Sequence, residues 1–340
     1  MNVAETGGKV ETAKLMISSS PHIRSSESIP KIMWTVNMAL APAALFSVYQ
    51  FGIPALITMV ICVLTALFTE YIIQKWQGKP ITINDGSAFL TGLLLAMNIP
   101  ATVPWYLPIT GAFVAIAIAK HTMGGLGFNI FNPALIGRAA LVASWPILMT
   151  TWPQMASKVD GVTTATPLGI LKLEGYAKLI EVFGDKATMY KSMFIGTSSG
   201  SMGETSSLLL IIGGLFLIYR RYINWQIPVI MISTVGVLTW IFGGVFAIGG
   251  STGLFTGDPI LNILSGGLIL GAFFMATDMV TIPITIKGQI IFALGVGFLT
   301  TIIRLIGGYP EGVCYAILLM NATTPLIDRF VKPKKFGKTV

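Results

Sequence analysis

The chain has 340 residues, 54% of them hydrophobic and only 11% charged, with a mean hydropathy of +0.78. Soluble domains carry about 25% charged residues, so this composition excludes one and indicates an all-α integral membrane protein. The net charge of +8 does not require a nucleic-acid surface, because the cations cluster at the ends of apolar runs, where they orient helices in a bilayer.

Ten apolar runs follow one another, each near the roughly 20 residues that span a hydrocarbon core. The first five cover about 33–49, 54–75, 87–103, 105–120 and 128–150; the second five cover about 205–219, 226–248, 258–282, 288–306 and 312–330. Residues 1–32 are polar and mixed in charge, with no signal peptide evident, and read as a cytoplasmic N-terminal segment. Residues 33–150 form a first membrane half, 151–204 a long polar segment, 205–330 a second half and 331–340 a basic cytoplasmic tail. If the N-terminus is cytoplasmic, one face collects Arg24, Lys31, Lys75, Lys79, Lys120, Arg220, Arg221, Lys287 and the tail. The other face is nearly free of Lys and Arg except in 151–204, where five lysines balance five acids. Long segments translocate largely regardless of charge, so this one is expected outside the cytoplasm.

Five crossings on each side of that segment give two halves of opposite orientation, the inverted-repeat plan in which sites form between halves. Two pairs of strings support it: SAFLTGLLLAMNIP (87–100) with SGGLILGAFFMATDMVTIP (265–283), and Leu135-Ile136-Gly137-Arg138 with Leu326-Ile327-Asp328-Arg329.

Several strings have the residue types that carry chemistry. Asp160-Gly161-Val162-Thr163-Thr164-Ala165-Thr166-Pro167-Leu168 is a bendable, hydroxyl-rich loop, and loops are where binding and catalytic groups concentrate. GGLGFNIFNPA (124–134) opens the fifth run, with Asn132 just before Pro133. Proline suits a first helical turn. The free N–H groups there face either a polar ligand or a closely packed neighbour. GSMGETS (200–206) places Glu204 where it either caps the sixth run or flanks a ligand. Asp278 lies low in the eighth run, either at the cytoplasmic interface or as one of the costly intramembrane charges that signal function. Arg138 sits deeper in the fifth run and requires an internal partner or a polar cavity.

Other chemistry is excluded or left to partners. Cys62 and Cys314 are alone in apolar runs, too few for an iron–sulfur cluster with its four or so ligands, and read as small buried hydrophobes. His22 and His121 have no metal-ligand spacing, and His121 beside Lys120 reads as interfacial. No dinucleotide fingerprint or phosphate-binding loop is present, so any NAD or iron–sulfur site belongs to another chain.

The hydroxyl-rich loop, GGLGFNIFNPA, GSMGETS and ATDMVTIP (276–283) together resemble the family of membrane subunits shared by the Rnf complex and the Na+-pumping NADH:quinone oxidoreductase. The early first run, from about residue 33, is similar to the Rnf branch. In that family a flavin transferase joins the phosphate of FMN to the last threonine of a Ser/Thr-Gly-Ala-Thr-like motif. The resemblance makes Thr166 the phosphoryl threonine, with Asp160, Gly161, Thr163, Thr164 and Ala165 as the attachment motif and Thr164 in place of the usual glycine. Glu204, Asn132, Arg138 and Asp278 are further candidates.

The resemblance implies a flavoprotein subunit of an ion-translocating (Na+ or H+) ferredoxin:NAD+ oxidoreductase in the bacterial inner membrane. It passes electrons through covalent FMN and is not catalytic alone; some members also hold non-covalent riboflavin. Its implied partners are the B, C and G flavin and iron–sulfur subunits, the A and E membrane subunits and the transferase, with no nucleic acid. A secondary transporter or channel for a small polar solute fits ten runs in paired halves equally well. The threonine loop separates the two readings.

Overall fold

A computed structural model describes residues 27–153, 163, 164, 166–204, 206–246, 253–309 and 311–333. Helix α1 (Ile29–Phe51) has Pro30 in its first turn and stops at Gly52, whose φ of 73° bends the chain directly into α2 (Ile53–Trp76). Both are apolar around their whole circumference, and with α14 (Ile286–Leu305) they are long and apolar enough to cross a membrane unaided. Shorter apolar helices follow: α3 (Ser87–Met97), α4 (Tyr106–Phe113, widening into π-helical turns through His121) and α5 (Pro133–Ser144). Helix α6 (Pro146–Thr150) follows a break at Trp145, where Pro146 cannot continue the preceding ladder.

The polar segment opens with two-residue strands, β1 (Trp152–Pro153) antiparallel to β2 (Thr163–Thr164). It continues as α7 (Pro167–Leu173), α8 (Tyr176–Phe183) and α9 (Lys186–Ile195). These helices bury a small core of Leu168, Leu171, Leu179, Met189 and Met193 against Leu261 of the second membrane half. Tyr176 and Tyr190 both donate to Asp258 Oδ2, fastening the segment to that half.

The second half comprises α10 (Ser207–Tyr219), α11 (Gln226–Phe242), α12 (Pro259–Leu264), α13 (Leu268–Leu270, with π-helical turns through Met275), α14 and α15 (Val313–Phe330). The eighth run is therefore not one helix. Gly266 and Gly267, at φ 67° and 63°, break it into α12 and α13. Such a break leaves helix-end carbonyls without partners, which a membrane interior does not tolerate. Arg304 supplies them, donating to the carbonyls of Asn262 (2.5 Å), Ser265 (3.0 Å) and Gly266 (3.2 Å).

The same packing scheme serves both halves. Helix α2 packs on α3 and α4, and α4 on α5; α11 packs on α12 and α14, and α14 on α15. Across the seam α1 meets α10 and α5 meets α15. Small residues set such distances where no hydrophobic drive exists between helices. A Cβ added at Gly137 of α5 would lie 2.6 Å from the Gly111 carbonyl oxygen of α4.

Candidate functional site

Two cavities lie at opposite ends of α5, both on the seam between halves. The first, of about 500 Å³, is bounded by Arg138, Trp152, Thr166, Lys172, Tyr309, Glu311 and Tyr315, among others. Thr166 reaches it as the N-cap of α7. Its backbone is extended (φ −63°, ψ 156°), its Oγ accepts the Gly169 N–H at 3.0 Å, and the residue is 3% exposed. The β1–β2 pairing, with Trp152 opposite Thr164, brings the threonine loop onto the end of the first membrane half. Of the attachment motif, Asp160, Gly161 and Ala165 lie outside the described residues, and Thr163 and Thr164 are placed through their strand backbone.

Arg138 has the internal partner its depth demands. Nη2 pairs with Glu311 Oε2 and Nη1 donates to Asn98 Oδ1 at 3.1 Å. Lys172, on α7, is held by the carbonyls of Arg304, Gly307 and Tyr309, and burial pushes its ammonium below the usual lysine value. Two cations, three aromatic rings and a threonine hydroxyl thus share one chamber. Glu311 Oε1 is buried there without a hydrogen-bond partner.

Glu204 does not cap α10. Ser206 does, accepting from the Leu209 N–H, because the chain makes a 3-10 turn over Met202–Glu204 first. That turn brings the Glu204 carboxyl inward to a 2.9 Å bond from Ser201 Oγ.

Asn132 and Asp278 belong to the second cavity, lined also by Lys120, Asn129 and Thr277. Asn132 caps α5 by accepting the Ala134 N–H (3.1 Å), donates its side-chain amide to the Met275 carbonyl (3.2 Å) and donates its backbone N–H to Asn321 Oδ1 (3.3 Å). Pro133 fills the first turn as its sequence position suggests, and Gly124, Gly125 and Gly127 before it all adopt positive φ. Asp278 follows the π-helical turns, and its Oδ1 accepts the Val280 N–H at 3.4 Å. The sequence candidates therefore divide. Thr166 and Arg138 line one cavity, Asn132 and Asp278 the other, and Glu204 lines neither.

Two charged groups escaped sequence reasoning, and two others are placed differently. Lys120 and His121 are not interfacial: they are 2% and 6% exposed. Lys120 Nζ bonds both oxygens of Glu70 (2.9 and 2.8 Å) and Ser87 Oγ (2.7 Å), and His121 Nε2 lies 3.8 Å from Glu70. Glu70 inside the second apolar run was the available signal, since an intramembrane acid implies a partner. Glu311 lay in the turn after the ninth run, where nothing local marked it as the partner of Arg138.

The model of the NQR2, RnfD, RnfE family matches residues 16–337. The chain is similar, at 66% identity over 94% of its length and 96% of the relative's, to the D subunit of the proton-translocating ferredoxin:NAD(+) oxidoreductase complex of Clostridium ljungdahlii. It is 47% identical, over 96% of both chains, to the D subunit of the Na(+)-translocating ferredoxin:NAD(+) oxidoreductase complex of Acetobacterium woodii. It is 36% identical to the D subunit of the ion-translocating oxidoreductase complex of Halorhodospira halophila, over 94% of this chain and 95% of that one.

Proposed function

This chain belongs to the NQR2, RnfD, RnfE family, and we propose that it is the D subunit of an ion-translocating ferredoxin:NAD+ oxidoreductase complex that carries FMN esterified to Thr166. The observation that carries the flavin reading is the placement of the Thr166 hydroxyl on a cavity of about 500 Å³, within the 300–1,000 Å³ range typical of cofactor sites. The lining suits a flavin phosphoester. Arg138 and Lys172 supply positive charge, Tyr309, Tyr315 and Trp152 supply ring surface, and Glu311 Oε1 offers an unused acceptor.

FMN, when bound, supplies electron transfer in one- or two-electron steps, and the protein's share is binding, orientation and electrostatics. Thr166 fixes one end by a covalent bond, so occupancy no longer depends on affinity. Its side chain faces inward because the α7 N-terminus holds Oγ through Gly169. Arg138 is held in turn by Glu311 and Asn98, so its charge stays on the cavity wall. The Lys172 ammonium is positioned by backbone carbonyls rather than by a carboxylate and keeps its charge available to the chamber.

Membership of a multi-subunit complex follows from the relatives' names. The proposal adds that the donor and NAD+ sites lie on other chains and that a transferase matures this one. Two of these relatives differ in their named ion, proton at 66% identity and Na(+) at 47%, so overall likeness does not assign it. The solute-transporter reading gains no observation of its own. Peptide mass spectrometry of the chain co-expressed with the transferase tests the proposal: the peptide bearing Thr166 should carry the mass of FMN. An unmodified peptide from an active complex refutes it.

A further inference from the structure

The hydroxyl that would carry the flavin is out of reach in the folded chain. Thr166 is 3% exposed, and its Oγ accepts the Gly169 N–H at 3.0 Å. Joining it to FMN forms a bond from Oγ to the flavin phosphorus and breaks the phosphoanhydride bond of a flavin dinucleotide. The nucleotide half leaves as its monophosphate, and the hydroxyl proton passes to a base on the transferase; nothing is oxidised or reduced. Such an attack needs the reacting atoms in line at roughly 3–3.5 Å, inside the transferase's own site. The wall of a cavity of about 500 Å³ does not admit a second enzyme.

Helix α7, which Thr166 caps, is held by contacts of two kinds. Lys172, near its C-terminal end, donates to the carbonyls of Arg304 (3.3 Å), Gly307 and Tyr309 (3.1 Å) where α14 ends. Leu168 and Leu171 are buried in the small core of the polar segment. Leu168 also abuts the α12–α13 break, where a Cβ at Gly266 would lie 2.4 Å from its Cδ1. A helix of 7 residues does not persist without such packing. Beyond it, Gly175 has a φ of 87° and open space where a Cβ would stand. Helices α8 and α9 are fastened separately, through Tyr176 and Tyr190 on Asp258 Oδ2. Release of Lys172 and Leu168 therefore frees α7 alone, turning about Gly175.

We propose that α7 is a hinged flap that opens in the folded chain to offer Thr166 to the flavin transferase, with Lys172 as its latch and Gly175 as its hinge. This rests on the reading that Thr166 is the attachment residue. Elements with few fixing contacts open locally at a free energy well below that of global unfolding, and hinges lie at element ends that absorb the backbone change. The closed form suits the product as well as the substrate. An esterified Oγ keeps a lone pair for the Gly169 N–H, so the cap re-forms and the flap shuts with the flavin attached. Arg138 takes no part in the movement, because Glu311 and Asn98 hold it in the opposite wall.

The test uses the full-length chain purified without flavin, to which the transferase and flavin dinucleotide are added. Attachment is read as the mass of the Thr166 peptide. Labelling of the parent should level off as transferase is raised, because opening becomes limiting. Lys172→Met should speed labelling about tenfold, the factor for one charge-assisted hydrogen bond lost. Leu168→Ala should speed it too, and Lys172→Arg should restore the parent rate. A lysine that served only to bind phosphate would give the opposite sign, slower labelling on removal. Amide exchange is a second readout that needs no flavin: α7 should exchange faster than α14, and Lys172→Met should raise exchange in α7 while α14 stays protected. Labelling unchanged or slowed in both Lys172→Met and Leu168→Ala overturns the flap. So does a folded chain that is never labelled although the co-expressed one carries FMN, since attachment then precedes folding. An unmodified Thr166 in the co-expressed chain sinks the flavin reading instead, while amide exchange still decides whether Lys172 latches α7.

Discussion

Arg138 of α5 and Glu311, separated by 173 residues in sequence, form an ion pair across the seam between the two membrane halves, with side chains 10% and 11% exposed. Removing one member of such a pair strands a buried charge, which costs roughly 3–5 kcal/mol, whereas replacing both with apolar groups costs far less. Arg138→Met and Glu311→Leu should each lower the thermal transition of the purified chain, and the double substitution should recover much of the loss. Additive losses in the double-mutant cycle would show that the two side chains do not act as a pair.

The threonine hydroxyl has two jobs that substitution separates. As the α7 cap, Thr166 is replaceable by Asn, which also accepts a backbone N–H, whereas Ala forfeits about 0.5–2 kcal/mol. Thr166→Asn should therefore melt like the parent and Thr166→Ala below it, while both lose in-gel flavin fluorescence. Fluorescence retained in either variant would place the flavin elsewhere.

How far the sequence discloses this arrangement depends on the range of the interaction. The apolar runs, the first turn at Pro133 and the need of Arg138 for a partner were legible because each is a local property. The identity of the partner was not, since a pattern within one run holds no information about a turn 173 residues away. The break at Gly266 and Gly267 was visible as a glycine pair, but hydropathy averaged over a whole crossing passes over two left-handed residues. Lys120 and His121 stand at the end of a run and so read as interfacial. They are buried because Glu70 on the neighbouring α2 stabilises the ammonium. Glu204 reads as a cap from its position alone, and the 3-10 turn that redirects it depends on packing: a Cβ at Gly203 would lie 2.7 Å from the Met97 carbonyl oxygen.

The contact of α5 with α4 is set by glycine. A methyl group at position 137 would stand 2.6 Å from the Gly111 carbonyl oxygen and 3.1 Å from the Ala115 Cβ. Neither backbone can yield without moving a helix, and overpacking of this kind costs about 1–3 kcal/mol. Gly137→Ala should lower the melting temperature, and Gly137→Val more so. Because α5 also carries Arg138, flavin fluorescence should be lost at lower temperature in parallel. A neutral Gly137→Val would contradict the close approach.

Burial of Lys120 is open to chemical labelling. With 2% of its side chain exposed and both Glu70 oxygens within 2.9 Å, it should resist an amine-acylating reagent that modifies Lys79 on the folded chain. Glu70→Ala removes the partner and should make Lys120 reactive or destabilise the chain. Equal labelling of Lys79 and Lys120 in the parent would contradict the ion pair.

Acid should loosen α9 through its cap. Asp185 Oδ1 accepts the Thr188 N–H at 2.6 Å, and the side-chain and backbone bonds to Thr188 hold the carboxyl below its usual range. A depressed folded-state pKa contributes stability that is present above the unfolded value and is lost as pH falls through the folded one. Amide exchange along α9, corrected for intrinsic rates, should thus accelerate on acidification below the usual aspartate range, while α14 stays protected. Asp185→Asn keeps an acceptor at the cap and removes the titration, so its α9 exchange should be insensitive to pH over that interval. If the variant retains the full acid response, another group governs this helix.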